Sequence, residues 1–90
     1  MKKHYDITIS GRVQHVGFRY HTLEVAENYS IKGYVQNKTN GTVFVEAEGE
    51  ESNLERFVDW CRQGPRWANV NDLIVNESEV RNYGDFFIKN

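Results

Sequence analysis

Apolar and polar positions alternate at the start of the chain. Tyr5, Ile7 and Ile9 interleave with His4, Asp6, Thr8 and Ser10, a period of two that predicts a strand with one buried face. A glycine-bounded loop follows, Gly11-Arg12-Val13-Gln14-His15-Val16-Gly17-Phe18-Arg19. The period then changes. From Tyr20 to Tyr29, Leu23, Ala26 and Tyr29 recur on a helical face, and Gly33 beyond them reads as the stop signal. Tyr34 to Asn37 is a second strand, and Asn40-Gly41 predicts a type I′ hairpin turn. Val43, Val45 and Ala47 alternate with Phe44, Glu46 and Glu48 in strand three. Ser52-Asn53-Leu54-Glu55 has the form of a capping box. Leu54, Phe57, Val58 and Cys61 follow at i, i+3, i+4 and i+7, and Gly64-Pro65 ends this second helix. Leu73-Ile74-Val75 and Phe86-Phe87-Ile88 supply two last strands, whose facing the pattern leaves open.

Strand, helix, strand, strand, helix, strand, with a short extra C-terminal strand, is an α+β order. It predicts a ferredoxin-like split βαββαβ sandwich, two helices on one face of a mainly antiparallel sheet. Its 90 residues fit one domain over 1–90, and no linker or repeat divides them. Cys61 is the only cysteine, so no internal disulfide can form, and aromatics at 13% supply core area instead. The start, Met1-Lys2-Lys3-His4-Tyr5-Asp6, has basic residues without an apolar run behind them, and a cytoplasmic location is expected. In that compartment the glycosylation sequons at Asn28, Asn37, Asn40 and Asn76 carry no meaning. The formal net charge of −2 argues against nucleic acid and anionic membrane as partners. An anionic ligand has to be held by a local site.

Topology suggests where. In the first βαβ unit, strands one and two run parallel, so the loop after strand one and the end of strand two share an edge of the sheet. Arg19 belongs to that loop and Asn37 to that strand end, and they are expected to meet. The loop runs into a helix N-terminus, whose free N–H groups and dipole favour an anion. Gly17 lets successive N–H groups point inward, and Arg19 adds a planar fork suited to phosphate. On residues alone this reading competes with a structural loop, in which the glycines serve a tight turn and Arg19 pairs with a surface carboxylate.

The run Gly11 to Arg19 resembles the acylphosphatase signature G-R-V-Q-G-V-G-F-R, differing only at His15. Gly33-Tyr34-Val35-Gln36-Asn37 with Asn40-Gly41 resembles that family's second segment. Ala47-Glu48-Gly49, the helix from Leu54 to Pro65 and Phe86-Phe87-Ile88 also sit as they do there. The resemblance implies a cofactor-free, metal-independent hydrolase of small-molecule acyl phosphates, with inorganic phosphate as product and competitive inhibitor. By the same resemblance Arg19 binds phosphate, the loop backbone of Gln14, His15, Val16, Gly17 and Phe18 cradles it, and Asn37 positions the attacking water. Such a site can be sparse, because phosphoryl transfer mainly needs positioning and charge stabilisation. His15 is the departure. The family usually has glycine there, and a positive φ would strain a side chain, although histidine tolerates it better than most residues.

Other motifs fail on spacing. The Gly11–Gly17 segment is not a P-loop, and Cys61 to Arg66 misses the Cys-x5-Arg spacing of cysteine phosphatases by one. Cys61 lies on an apolar helix face and reads as an inert thiol, while His4, His15 and His21 lack metal-ligand spacing. Lys32-Gly33-Tyr34 starts an RNA-recognition motif that Val35-Gln36-Asn37 breaks. Trp60 and Trp67 are expected to pack, and Glu48, Glu50, Glu51 and Glu55 to form a solvated face. A monomer is expected, since no apolar patch demands a partner. The rival reading is an accessory anion-binding module, since the same signature occurs at the start of hydrogenase-maturation proteins that handle carbamoyl phosphate.

Overall fold

In the computed structural model, which describes residues 1–90, the alternating run becomes strand β1 (Lys2–Arg12). Helix α1 (Phe18–Asn28), strands β2 (Lys32–Asn37) and β3 (Val43–Glu50), and helix α2 (Glu51–Gln63) follow, then strands β4 (Asn69–Ser78) and β5 (Phe86–Ile88). The strands form one sheet in the order β4-β1-β3-β2-β5. Strand β3 pairs antiparallel with β1, Val45 opposite Ile7, and with β2, Val45 opposite Val35. Strand β4 is antiparallel to β1, whereas β5 runs parallel to β2 with Ile88 opposite Val35. This is the predicted βαββαβ order with its extra strand. Both helices cover one face, where Ile7, Ile9, Val35, Val43 and Val45 meet Phe18, Ala26, Leu54, Phe57 and Cys61 in a closed core. Burial pushes the Cys61 thiol pKa up, in keeping with an inert side chain. Neither helix is long and apolar enough to cross a membrane.

Several local expectations are corrected. Helix α1 starts two residues before Tyr20, so Phe18 and Arg19 lie in its first turn and not in the loop. Its end is made by Ser30, not Gly33. Ser30 adopts φ 58, Ile31 N–H donates to Ala26 O at 2.8 Å and Ser30 N–H to Glu27 O at 3.3 Å, a Schellman closure. Gly33 lies inside β2, where a Cβ would collide with the carbonyl of Glu46. The Asn40-Gly41 hairpin forms, but only Gly41 has positive φ, and its N–H donates to Lys38 O at 3.1 Å. A three-residue loop replaces the expected type I′ turn. The capping box is absent because β3 runs straight into α2. Glu50 is the N-cap, Ser52 falls inside the first turn, and Glu51 N–H donates to Met1 O at 3.1 Å. Trp60 packs edge-on against Phe18, but Trp67 is exposed under Arg66 instead of packing.

The largest correction concerns the sheet face opposite the helices. Glu48 is expected on a solvated face and His4 on the polar side of β1, yet both are fully buried. The segment 79–85 between β4 and β5 lies across them. Buried Glu48 accepts hydrogen bonds from Arg81 N–H and from Tyr83 N–H, the latter at 3.0 Å, and sits 2.8 Å from His4 Nδ1. Glu46 accepts from the hydroxyls of Tyr34 and Tyr83 at 2.8 Å each and from Arg81 Nη1 at 2.6 Å. His4, Asp6 and Glu46 bring ligand-type atoms within 4.8 Å of one another, a juxtaposition invisible in sequence spacing, and the Arg81 guanidinium supplies the cation among them.

Burial by itself raises the Glu48 carboxyl pKa, but the two N–H groups and the His4 ring outweigh it and hold the carboxyl below its ordinary 4.5. A carboxyl depressed in the folded state stabilises above its unfolded pKa and loses that contribution as pH falls through its folded value. Glu48→Gln is therefore expected to cost about 1–3 kcal/mol near neutral pH, at about 4–8 °C in Tm per kcal/mol. The gap from the unsubstituted protein should narrow as pH falls below 4.5. Thermal melts at about pH 7 and about pH 3 check this, and a gap that stays constant would show that the charge contributes nothing.

Candidate active site

Residues 13–17 connect β1 to α1. Val13 is buried and Val16 half-buried against the core, and these two apolar anchors fix the loop at both ends. Between them the Gln14 side chain reaches away, its Nε2 donating to Lys38 O at 2.8 Å and Thr42 O at 3.0 Å. One amide thus clamps the loop to the hairpin that follows Asn37. A carboxylate at position 14 would oppose both carbonyls with lone pairs.

His15 at φ 63 and Gly17 at φ 78 are both left-handed, with Val16 between them in the ordinary region. Alternation of this kind makes a nest of N–H groups. Gly17 is the N-cap of α1, and its carbonyl accepts from His21 N–H at 3.1 Å and from the His21 ring at 2.8 Å. No side chain caps this helix and no acidic residue occupies its first turn. The backbone N–H groups of Gln14 to Tyr20 donate to no protein acceptor. These donors and the positive end of the helix dipole act on the same spot, and both favour an anion there.

Arg19 and Asn37 come from different elements and open onto one cavity of about 220 Å³. His15, Gly17 and Phe18 line it beside Arg19, and Tyr20 and Ile88 complete its wall. Gln14 and Val16 contribute no side chain to it, because those side chains are spent on the hairpin and the core. Arg19 is half-buried and takes part in none of the ion pairs of the protein, so the surface-carboxylate alternative is not realised. Asn37 Oδ1 is buried and accepts no hydrogen bond from any protein group. A buried acceptor without a donor is costly unless something at the site supplies one.

Tyr20 and Ile88 were not singled out from the sequence. Tyr20 carried a signal, since it follows Arg19 within the first helical turn. Ile88 carried none: it reaches the cavity through the parallel pairing of β5 with β2.

A helix N-terminus, a left-handed nest and an unpaired arginine share one edge of a split βαββαβ sheet, which makes this an α+β domain whose geometry favours an anion at that edge. Comparison with known proteins agrees. The acylphosphatase family profile matches residues 5–88. A Thermotoga maritima acylphosphatase is 46% identical over 83 residues, 92% of each chain. The crystal structure of acylphosphatase from Bacillus subtilis superposes with a TM-score of 0.95 at 36% identity, over 100% of both chains. Full-length HypF, in its phosphate- and nucleotide-bound form, contains a similar region. There the TM-score is 0.94 at 34% identity, over 100% of this chain but 12% of that one. The chain belongs to the acylphosphatase family.

His15 is exposed on the cavity wall, and its φ of 63 lies at the centre of the left-handed basin, as glycine's would. The loop thus accommodates a histidine at position 15 in the backbone conformation the nest needs. His15→Gly is expected to bind phosphate as the unsubstituted protein does, because the nest donors are backbone N–H groups that glycine supplies equally. Inhibition constants for phosphate in the two proteins check this. Tighter binding by the glycine variant would show instead that the side chain displaces the loop donors.

Proposed function

We propose that this chain hydrolyses acyl phosphates at the cavity between α1 and the end of β2. Arg19 and the loop N–H groups from Gln14 to Phe18 hold the phosphoryl oxygens, and Asn37 holds the attacking water. The observation that carries the reading is the buried, unpartnered Oδ1 of Asn37 on the same cavity as an unpaired Arg19. An amide oxygen accepts one water proton and leaves the water's lone pair aimed at phosphorus.

The reaction needs little more. Water oxygen forms the new bond to phosphorus, and the bond from phosphorus to the carboxyl oxygen breaks with its electron pair leaving on the carboxylate. The water proton passes to a non-bridging phosphate oxygen, giving carboxylate and inorganic phosphate. Because a carboxylate departs without being protonated, no carboxylic acid has to stand beside it, and neither Asp nor Glu lines the cavity. The guanidinium and N–H donors counter the charge on the equatorial oxygens, where preorganised donors act most strongly.

Turnover of acetyl or benzoyl phosphate, with inorganic phosphate as competitive inhibitor and no loss in EDTA, is the expected behaviour. Simple alkyl phosphomonoesters should be poor substrates, since an alkoxide leaves badly without an acid. Protein that binds phosphate yet hydrolyses no acyl phosphate would favour the accessory module instead. Arg19→Ala is expected to lose about 10²–10³ in rate together with phosphate affinity. Lysine should rescue little of this, for want of the bidentate fork. Asn37→Ala should lose kcat while phosphate competes at nearly its original affinity. Equal loss of both in the asparagine variant would make Asn37 a binding residue and overturn its assignment to water.

A further inference from the structure

The polar side of the cavity accounts for the phosphoryl group and the water but leaves the acyl substituent unassigned. In an in-line displacement the attacking and leaving oxygens lie on opposite sides of phosphorus. With water at Asn37 on the sheet side, the acyl group leaves towards the side of α1. The side chain that α1 presents at the cavity beyond Arg19 is Tyr20. Its ring is 73% exposed, stacks on no other aromatic, and its hydroxyl makes no hydrogen bond within the protein. Packing of the core therefore gives no reason for an aromatic at this position. The ring is also shared with a second depression of about 150 Å³ along α1, whose remaining lining is Leu23, Glu24 and Glu27. Tyr20 and Leu23 thus continue outward from the phosphate cradle, beside two carboxylates that disfavour an anionic substituent.

We propose that Tyr20 is the specificity-determining residue of this site, a platform on which a flat, uncharged aryl acyl group stacks while its phosphate sits in the cradle. The proposal rests on the acyl phosphatase reading given above and adds to it the class of acyl group preferred. Aromatic rings pair in offset-stacked or edge-to-face geometry, and the interaction exceeds simple area burial. A short acyl group such as acetyl ends before it can use the ring.

The test compares kcat/KM for benzoyl phosphate and acetyl phosphate in the unsubstituted protein, Tyr20→Ala and Tyr20→Phe. The benzoyl-to-acetyl ratio cancels effects on the shared phosphoryl chemistry, and comparing ratios between proteins cancels the intrinsic reactivity of the two substrates. The ratio is expected to fall about three- to tenfold in Tyr20→Ala, mainly through KM for benzoyl phosphate, and to be retained in Tyr20→Phe. Inorganic phosphate, having no acyl group, should compete equally against all three. The alanine variant is expected to fold, because an exposed helical position accepts alanine readily. An unchanged ratio in Tyr20→Ala overturns the platform while leaving acyl phosphate hydrolysis intact. A ratio lost equally in Tyr20→Phe also overturns it, since the hydroxyl and not the ring would then be responsible. If the unsubstituted protein hydrolyses neither substrate, the functional reading fails and the platform falls with it.

Discussion

Strand β3 hydrogen-bonds β1 on one side and β2 on the other, and both pairings are antiparallel. That geometry forces β1 and β2 to run parallel, so the chain leaves β1 and finishes β2 at the same edge. Everything at the candidate site depends on this. Helix α1 has to cross back over the sheet to start β2, which points its N-terminus, with Arg19 in the first turn, at the edge where Asn37 emerges. The hairpin behind Asn37 then comes close enough to the loop for Gln14 to bridge two of its carbonyls. A strand pairing therefore fixes the meeting of arginine and asparagine, and a single side-chain amide holds it in place.

The face of the sheet away from the helices contributes indirectly. Its polar side chains are sealed under segment 79–85 in a network in which each buried carboxylate is satisfied by several donors, the condition under which a buried charge is tolerated. By pinning the strap, Glu48 and Glu46 set the approach of β5 to β2. Hydrogen bonds from Gly33 N–H to Asp85 O and from Lys89 N–H to Val35 O, both 2.9 Å, complete that junction. Ile88 reaches the cavity wall as a result. The two faces thus divide the work: apolar packing positions the cradle, and a polar seal positions the last strand.

The site is made mostly of backbone. Its donors are N–H groups left over at a helix start, and leaving them unpaired costs the protein stability that a capping side chain would have restored. His15 adds a smaller cost, because a side chain in the left-handed region is disfavoured relative to glycine. Both features make sense where an anion arrives with its own oxygen atoms.

Much of this was legible in the amino-acid order. Alternation at Tyr5, Ile7 and Ile9 and at Val43, Val45 and Ala47 identified strands, and spacing at Leu54, Phe57, Val58 and Cys61 identified a helix, because burial on one side imposes a period on the chain. Strand order followed from connection rules, and with it the expectation that Arg19 and Asn37 share an edge. The errors have a common origin. Ser52 and Gly33 carry strong local signals, but the direct run of β3 into α2 overrode the first, and the close approach of the Glu46 carbonyl reassigned the second. His4 and Glu48 occupy polar positions of alternating strands, and no local pattern reports that a segment more than thirty residues further on will cover them. Tertiary structure alone decided the buried polar seal, the place of Ile88 in the cavity and the freedom of Arg19 from any carboxylate. Each depends on which distant groups come within a few ångströms, whereas periodicity records only which side of an element is dry.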